Sequence, residues 1–155
     1  MPTIQEQIQI DTTPATAFRY CHDVDTRDRW DERVVDARLL TGKPLRSGSL
    51  IRIDAGRSGK LLYSWDAEYV EFNFPSGSLL KVLDAAPSSW FRSGREIWAF
   101  EKATQGSGTQ FTLTWEYTPR GFLSRIADVI WRRRGTRRAI RQSLDTLKEI
   151  LEEET

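Results

Sequence analysis

Residues 108–121 read GTQFTLTWEYTPRG, with apolar and polar side chains alternating from Phe111 to Tyr117 before a Pro-Arg-Gly turn. Alternation with a period of two is the pattern of a half-buried β-strand. From residue 122 onward, apolar side chains recur at the three- and four-residue spacings of an amphipathic helix. The chain is therefore predicted to finish as a strand followed by one long helix, an arrangement typical of a sheet that closes on a helix around a hollow interior.

The preceding residues predict the remainder of that sheet. Ile4, Glu6, Ile8 and Ile10 share one face of a first strand, and the following DTTP motif offers N-cap residues before a proline. A helix is therefore predicted from there to about Asp23, with a second helical turn at 27–30. Further strands are predicted at Val34–Leu40, Leu50–Ile53, Leu61–Phe72, Leu79–Leu83, Arg95–Glu101 and Gln110–Tyr117, separated by Gly- and Pro-containing turns at 42–44, 56–59, 75–77, 86–88 and 106–108. Short connections of this kind predict an α+β protein with a mostly antiparallel sheet of about seven strands.

Composition limits the kinds of protein that this chain can be. Its 155 residues, 39% of them apolar, suffice for a single domain spanning residues 1–155. Cys21 is the only cysteine, which rules out an internal disulfide and fits a reducing compartment. Because neither a secretory signal nor a membrane span is recognisable, we expect a cytoplasmic location. A net charge of +1 argues against a dedicated nucleic-acid binder.

The order of one strand, two short helices, six strands and one long helix resembles the helix-grip fold of the START-like (SRPBCC) superfamily. That superfamily includes polyketide cyclases, dehydrases and lipid-transport proteins. The likeness is carried by residues 8–18 (IQIDTTPATAF), Asp23, Trp30, Gly48, residues 70–72 before Pro75, Phe100 before Gly108-Thr109, and residues 119–122. The resemblance implies a curved sheet that grips the last helix around an elongated pocket. It implies no particular reaction, because the fold hosts carriers, cyclases and receptors alike.

Rows of aromatic side chains on the predicted strands suggest what such a pocket would bind. The candidate ligand-binding residues on these inward rows are Tyr63, Trp65, Trp98, Phe100, Leu113 and Trp115. Large flat rings on a concave sheet suit an apolar or amphipathic ligand, lipid-like or polyketide-like. The same rings can instead fill a solid core, so both interpretations stay open.

Two carboxylates, Glu6 and Glu96, fall on the inward faces of their strands, and a buried carboxylate needs a partner unless a bulge turns it to solvent. The helix periodicity places Arg133 on a sheet-facing line with Phe122, Ile126, Val129, Ile140, Leu144, Leu147 and Leu151. Arg133 is thus the predicted partner of Glu6 or Glu96 and a candidate ligand-binding residue, as is Glu96. An alternative function is a cyclase- or dehydratase-type enzyme that uses one of these carboxylates as acid or base with Arg133. A bend at Gly135 would instead leave Arg133 in solvent.

The opposite side of that helix carries Trp131, Arg134 and Arg138, which favours a third function, contact with a protein or a membrane surface. His22 is the only histidine, is expected at the surface, and makes a histidine-rich metal site impossible. No glycine spacing matches a phosphate-binding loop. The sequence therefore predicts no metal and no cofactor, and it does not indicate an oligomeric state.

Overall fold

The computed structural model describes residues 2–57, 59–86 and 89–153. Seven antiparallel strands form one curled sheet in the order β1-β7-β6-β5-β4-β3-β2, which closes on a long C-terminal helix. The strands are β1 (Thr3–Ile10), β2 (Val34–Leu39), β3 (Leu50–Arg57), β4 (Lys60–Asn73), β5 (Gly77–Ala85), β6 (Phe91–Lys102) and β7 (Thr109–Pro119). The helices are α1 (Pro14–His22), α2 (Arg27–Trp30), α3 (Gly121–Ala127) and α4 (Arg133–Glu153), and a π-helical turn at Asp128–Arg132 joins α3 to α4. This is the helix-grip fold predicted from the sequence.

Local signals place these elements close to where the sequence predicted them. Thr13 is the N-cap of α1, since its side-chain oxygen accepts a hydrogen bond from the Thr16 N–H at 3.1 Å. β3 runs on to Arg57 through a register shift after Ala55, so the turn predicted from residue 56 begins later than expected. Gly56 is required there because a Cβ atom would collide with the carbonyl of Lys60. β6 also begins four residues earlier than predicted, at Phe91.

One half of the interior, which we call the filled end, is solidly packed. It lies between α1, the second half of α4 and the strands β1, β7 and β6. The rings of Phe100 and Phe111 stack there with centroids 4.5 Å apart, and both are almost fully buried. The α4 side chains buried on this side are Ile140, Leu144, Leu147 and Leu151. Their spacing of three and four residues is the one that the sequence predicted for the sheet-facing line of this helix.

The π turn at Asp128–Arg132 changes which side chains of the helix face the sheet. A π turn holds one extra residue, which rotates everything before it by about 100° relative to a continuous α-helix. Asp128 consequently takes the inward position and is 1% exposed, whereas Val129 turns to solvent and is 67% exposed. The inward placement predicted for Phe122, Ile126 and Val129 is therefore wrong. The helix continues through Gly135, so the departure from α geometry precedes that glycine.

Candidate functional site

A cavity of about 790 Å³ lies between the first half of α4 and the strands β2, β3 and β4. We call this half of the interior the hollow end. The α4 residues that line the cavity include three small ones, Gly135, Thr136 and Ala139, together with Arg138 and Gln142. Because the three small residues reach less far than the leucines of the filled end, space remains between helix and sheet.

Aromatic side chains form the wall of the cavity opposite α4. The rings on this wall are Tyr63, Trp65, Trp90, Phe91 and Trp115, and Trp131 of the π turn lines the cavity from the helix side. Their positions are fixed by contacts with each other: the Trp90 indole N–H donates to the Tyr63 hydroxyl at 2.9 Å, and Phe91 packs edge-on against Trp115 with centroids 5.2 Å apart. A wall of interlocked rings keeps its shape when the cavity is empty, as ligand sites usually do.

Gly94 makes room for one of these rings. A Cβ atom at this position would lie 2.5 Å from Cη2 of Trp115, which is inside van der Waals contact. The missing side chain on β6 therefore lets the indole of Trp115 lie flat across the strand beside it. The position of the Trp115 ring thus depends on the absence of a side chain on the neighbouring strand, and a glycine inside a strand is the sequence signal for such a close approach.

The structure divides the predicted ligand-binding residues into two groups. Tyr63, Trp65 and Trp115 line the cavity. Trp98, Phe100 and Leu113 are buried in the filled end and are absent from the lining of this cavity. Some of the predicted rings therefore line a pocket and others fill a solid core, which are the two interpretations that the sequence left open.

Four charged side chains beside the cavity form a largely buried network. Asp31 accepts hydrogen bonds from Arg27 Nε and from Arg33 Nε and Nη2, each at 3.0 Å. Glu96 accepts from Arg33 Nη1 at 2.7 Å, from Arg27 Nη2 at 3.4 Å and from the indole N–H of Trp98 at 3.0 Å. Two guanidinium groups thus meet two carboxylates, so the network has no net charge and needs no further counter-ion.

Electrostatics within this network favour the charged form of Asp31. Burial by itself raises the pKa of Asp31, but the guanidinium groups of Arg33 and Arg27 outweigh burial and hold that pKa below its ordinary value. Arg27 also lies over the ring of Trp98, with Cζ 4.6 Å from the centroid. The network ties α2 and the start of β2 to β6, and Arg27 and Arg33 reach the cavity wall from it.

The predicted pairing of Arg133 with Glu6 or Glu96 is wrong. Arg133 Nη2 contacts Asp128 Oδ2 at 2.8 Å, on the same helix, and Arg133 does not line the cavity. Asp128 also accepts a hydrogen bond from the Tyr117 hydroxyl at 2.6 Å. The π turn is the physical reason, since it brings Asp128 to the inward side, five residues before Arg133 and within reach of its guanidinium.

Both carboxylates do have cationic partners, as the sequence argument required. Glu6 faces α4, where Arg137 Nη1 lies 2.7 Å and Arg141 Nε 3.0 Å from its Oε1. The partner of Glu6 is therefore one helical turn beyond the predicted arginine. Glu96 takes its partners from α2 and from Arg33, just before β2, a long-range contact that no spacing in the sequence revealed.

Arg132 has the least satisfied polar group in the cavity wall. Its Nη1 atom is buried, and no described residue accepts a hydrogen bond from it. The guanidinium lies over the ring of Trp90, with Cζ 5.4 Å from the centroid. A buried donor without an acceptor costs about 1–3 kcal/mol, and a ligand oxygen can supply that acceptor. Sequence reasoning did not single out Arg132, because the predicted helix phase assigned the interior position to its neighbour.

His22 is buried, contrary to the surface position expected from the sequence. Its Nδ1 lies 2.8 Å from the Phe18 carbonyl oxygen and its Nε2 lies 2.8 Å from the Ser78 hydroxyl. Burial, and to a smaller extent Arg27, lowers the pKa of His22 to about 3, so the ring is neutral at pH 7. Within residues 2–57, 59–86 and 89–153, no group of three histidine, cysteine or acidic residues is placed to hold a metal ion. Over the same ranges no helix has the length and apolarity needed to cross a membrane.

Solved structures with the same fold come from several kinds of protein. TTHA0849 from Thermus thermophilus is 17% identical with a TM-score of 0.76, and the match covers 96% of this chain and 95% of that one. A major latex-like protein from Panax ginseng is 11% identical with a TM-score of 0.68, and 97% of each chain is covered. The di-domain ARO/CYC StfQ of the steffimycin biosynthetic pathway is 13% identical with a TM-score of 0.75, and 98% of this chain covers 51% of it. At these identities the likeness shows the fold alone.

Sequence comparison identifies the family directly. No curated protein matches the chain. The family described as polyketide cyclase / dehydrase and lipid transport matches residues 1–152, nearly the whole sequence. With the fold and the aromatic cavity described above, the chain therefore belongs to the polyketide cyclase / dehydrase and lipid transport family.

Proposed function

We propose that this protein binds an amphipathic small molecule, lipid-like or polyketide-like, in the cavity of the hollow end. The observation that carries the proposal is a cavity of about 790 Å³ lined by six aromatic residues, five on the wall opposite α4 and Trp131 in the π turn. Its volume falls in the range of about 300–1,000 Å³ that small-molecule sites have. Tyr63, Trp65 and Trp115 are the ligand-binding residues retained from the sequence prediction, with Trp90 and Phe91 added. Binding in the reducing cytoplasm fits the single buried cysteine, Cys21, whose thiol pKa is raised by burial.

The polar groups in the wall favour a ligand with an acidic or carbonyl group at one end. The lining includes the arginines 27, 33, 57, 132 and 138, against one acidic residue, Glu32. Arg27 and Arg33 are neutralised by Asp31 and Glu96, whereas the Nη1 of Arg132 lacks an acceptor. A ligand with an apolar body would pack against the rings, and an oxygen at its end would accept the hydrogen bond that Arg132 can donate.

An enzymatic function, the alternative considered from the sequence, finds less support in the residues named for it. Both oxygens of Glu96 are engaged, Oε1 by Arg33 and Oε2 by Arg27 and Trp98. Glu6 contacts two arginines of α4 and does not line the cavity. A general acid or base must reach a proton of the substrate, and neither carboxylate is placed to do so. Binding without turnover is therefore the function that we favour.

Two probes with the same alkyl chain test the proposal. Dodecanoic acid and dodecanol are titrated into the protein, and binding is followed by the tryptophan emission of Trp65, Trp90 and Trp115. We expect saturable binding of both probes, with the acid bound more tightly. Arg132→Gln should weaken binding of the acid by about ten- to a hundredfold, which is the loss expected for one charged hydrogen bond. It should leave binding of the alcohol unchanged.

Arg134→Gln is the matched control, because Arg134 is exposed two residues away and does not line the cavity. This variant should bind both probes like the unmodified protein. Absence of saturable binding of either probe would reject the ligand-binding function. Equal effects of the two substitutions on the acid would reject the assignment of Arg132 to its polar end.

A further inference from the structure

The N-terminal part of the last helix exposes a group of large apolar side chains that the described residues leave largely uncovered. We call this group the α3 face; its members, with their exposed fractions, are Phe122 (75%), Leu123 (81%), Ile126 (42%), Val129 (67%) and Ile130 (48%). α3 buries none of its own side chains. Contiguous apolar surface of this kind marks a site of interaction, because a monomer in water gains nothing from exposing it.

Positive charge surrounds the α3 face. Eight arginines lie between Arg120 and Arg141, and the only acidic residue in that interval is Asp128. Asp128 is buried and is occupied by Tyr117 and Arg133, so it contributes no exposed negative charge. Arg125, Arg134 and Arg138 are exposed along the same helix. Apolar side chains flanked by arginines are the composition of helices that lie in the interface of an anionic membrane.

The α3 face continues directly into the mouth of the cavity. Trp131 follows Ile130 in the π turn, is 68% exposed and also lines the cavity. Leu62, on β4, lines the cavity as well and is 54% exposed. Two exposed apolar side chains therefore border the cavity, and one of them, Trp131, directly follows the α3 face in the helix. A surface that covered this face would also meet the opening.

We infer that the α3 face docks this protein on an anionic lipid bilayer, with the cavity mouth toward the lipid. A second copy of the chain suits the face less well, because a two-fold interface would bring the same arginines against each other. The bilayer supplies both an apolar layer for the five side chains and negative charge for the arginines around them. It is also the phase in which an apolar ligand of the cavity would be dissolved.

Co-sedimentation of the full chain with vesicles tests this docking without any added ligand, so its result does not depend on the proposed binding function. The probes are vesicles of pure phosphatidylcholine and of phosphatidylcholine with 30% phosphatidylglycerol. We expect binding to the anionic vesicles at low salt, at least tenfold weaker binding to the neutral ones, and loss of binding as salt rises and screens the arginines. Arg134→Glu should weaken binding by more than fivefold, since each cation near the surface accounts for about fivefold.

Two matched controls separate the α3 face from the general surface. The double variant Leu123→Ser, Val129→Ser should reduce vesicle binding roughly tenfold or more, whereas Leu83→Ser, at an exposed leucine of β5, should not. Lys102→Glu is the charge control, because Lys102 pairs with the first residue of β7 and α3 follows the last. All substituted positions are exposed, and unchanged thermal unfolding would verify the fold.

Absence of anionic-vesicle binding at low salt would overturn the inference, as would equal binding to neutral vesicles. Equal effects of Leu83→Ser and the double variant would overturn it too. Self-association in sedimentation equilibrium that the double variant abolishes, without vesicle binding, would assign the α3 face to a second copy. Binding of an acidic protein, again without vesicle binding, would assign it to a protein partner.

Discussion

The filled end and the hollow end share one sheet but differ in what α4 presents to them. In both ends the strands contribute aromatic rings to the interior. Opposite the filled end, α4 contributes the buried side chains of Ile140, Leu144 and Leu147. Opposite the hollow end, its residues include the small Gly135 and Ala139 besides Arg138 and Gln142, and a cavity of about 790 Å³ is left. Side-chain size on the helix therefore decides where this interior is a core and where it is a site.

The largest expected loss of stability comes from a substitution in the filled end. Phe111→Ala removes a fully buried ring that stacks on Phe100, and Phe-to-Ala changes in a core cost about 3–5 kcal/mol. Trp65→Ala, in the hollow end, should reduce the free energy of unfolding by less than half as much, although it removes a larger side chain. One side of Trp65 already borders the cavity, so fewer contacts are lost. Denaturant unfolding of both variants measures the difference, and equal losses would contradict the distinction between the two ends.

A second, smaller effect depends on pH and again concerns the filled end. The folded-state pKa of His22, about 3, lies below its ordinary value of 6.5. Between these values the unfolded chain binds a proton that the folded protein excludes, so stability is complete above pH 6.5 and falls as the pH decreases. The expected slope is about 1.4 kcal/mol per pH unit.

His22→Gln should lose this contribution, since glutamine does not titrate. Chemical denaturation at pH 7, 6, 5 and 4 would compare the two proteins, and the difference between their slopes isolates the histidine from the carboxylates. Identical slopes over this interval would show that His22 titrates normally and that the core around it admits water.

The smallest expected change in stability comes from substitutions on the side of α4 that faces the hollow end. Gly135→Ala should increase the free energy of unfolding by about 0.5–1 kcal/mol, because glycine disfavours the interior of a helix and no atom lies within 4 Å of the added Cβ. Ala139→Gly on the same cavity-facing side should lower stability by a similar amount. Thermal unfolding measures both changes. A destabilised Gly135→Ala would mean that the helix is more tightly packed here than the structure indicates.

The fold could be predicted from the sequence, because it depends on local periodicity. Alternation in Phe111–Tyr117 and the apolar spacing of Ile140, Leu144 and Leu147 were sufficient for β7 and α4. The site could be predicted only in part. Tyr63, Trp65 and Trp115 were identified from strand parity, but parity does not distinguish a ring in the core from a ring beside a cavity. That distinction depends on the residue opposite, on an element distant in sequence.

The charged residues were predicted least well, for two physical reasons. Glu96 finds its partners on α2 and at Arg33, just before β2, more than sixty residues away, and such pairings leave no periodic signal. Arg132, the last residue of the π turn, lines the cavity, whereas the predicted Arg133 does not. A phase computed at a constant 100° per residue cannot represent an inserted residue, so the inward assignments of Phe122, Ile126 and Val129 were displaced.

Because of the π turn, the side chains before it and those after it follow two different helical phases. Side chains after it follow the geometry of the sheet, while side chains before it follow that of the α3 face, and substitutions in one segment leave the orientation of the other unchanged. A change in the number of residues in the turn has a different effect from a substitution. Loss of a single residue between Asp128 and Arg132 would restore a uniform α-helix and turn the whole of α3 by about 100°. A one-residue deletion there would therefore redirect an entire surface, whereas the same deletion in an exposed loop would shorten the chain and do little else.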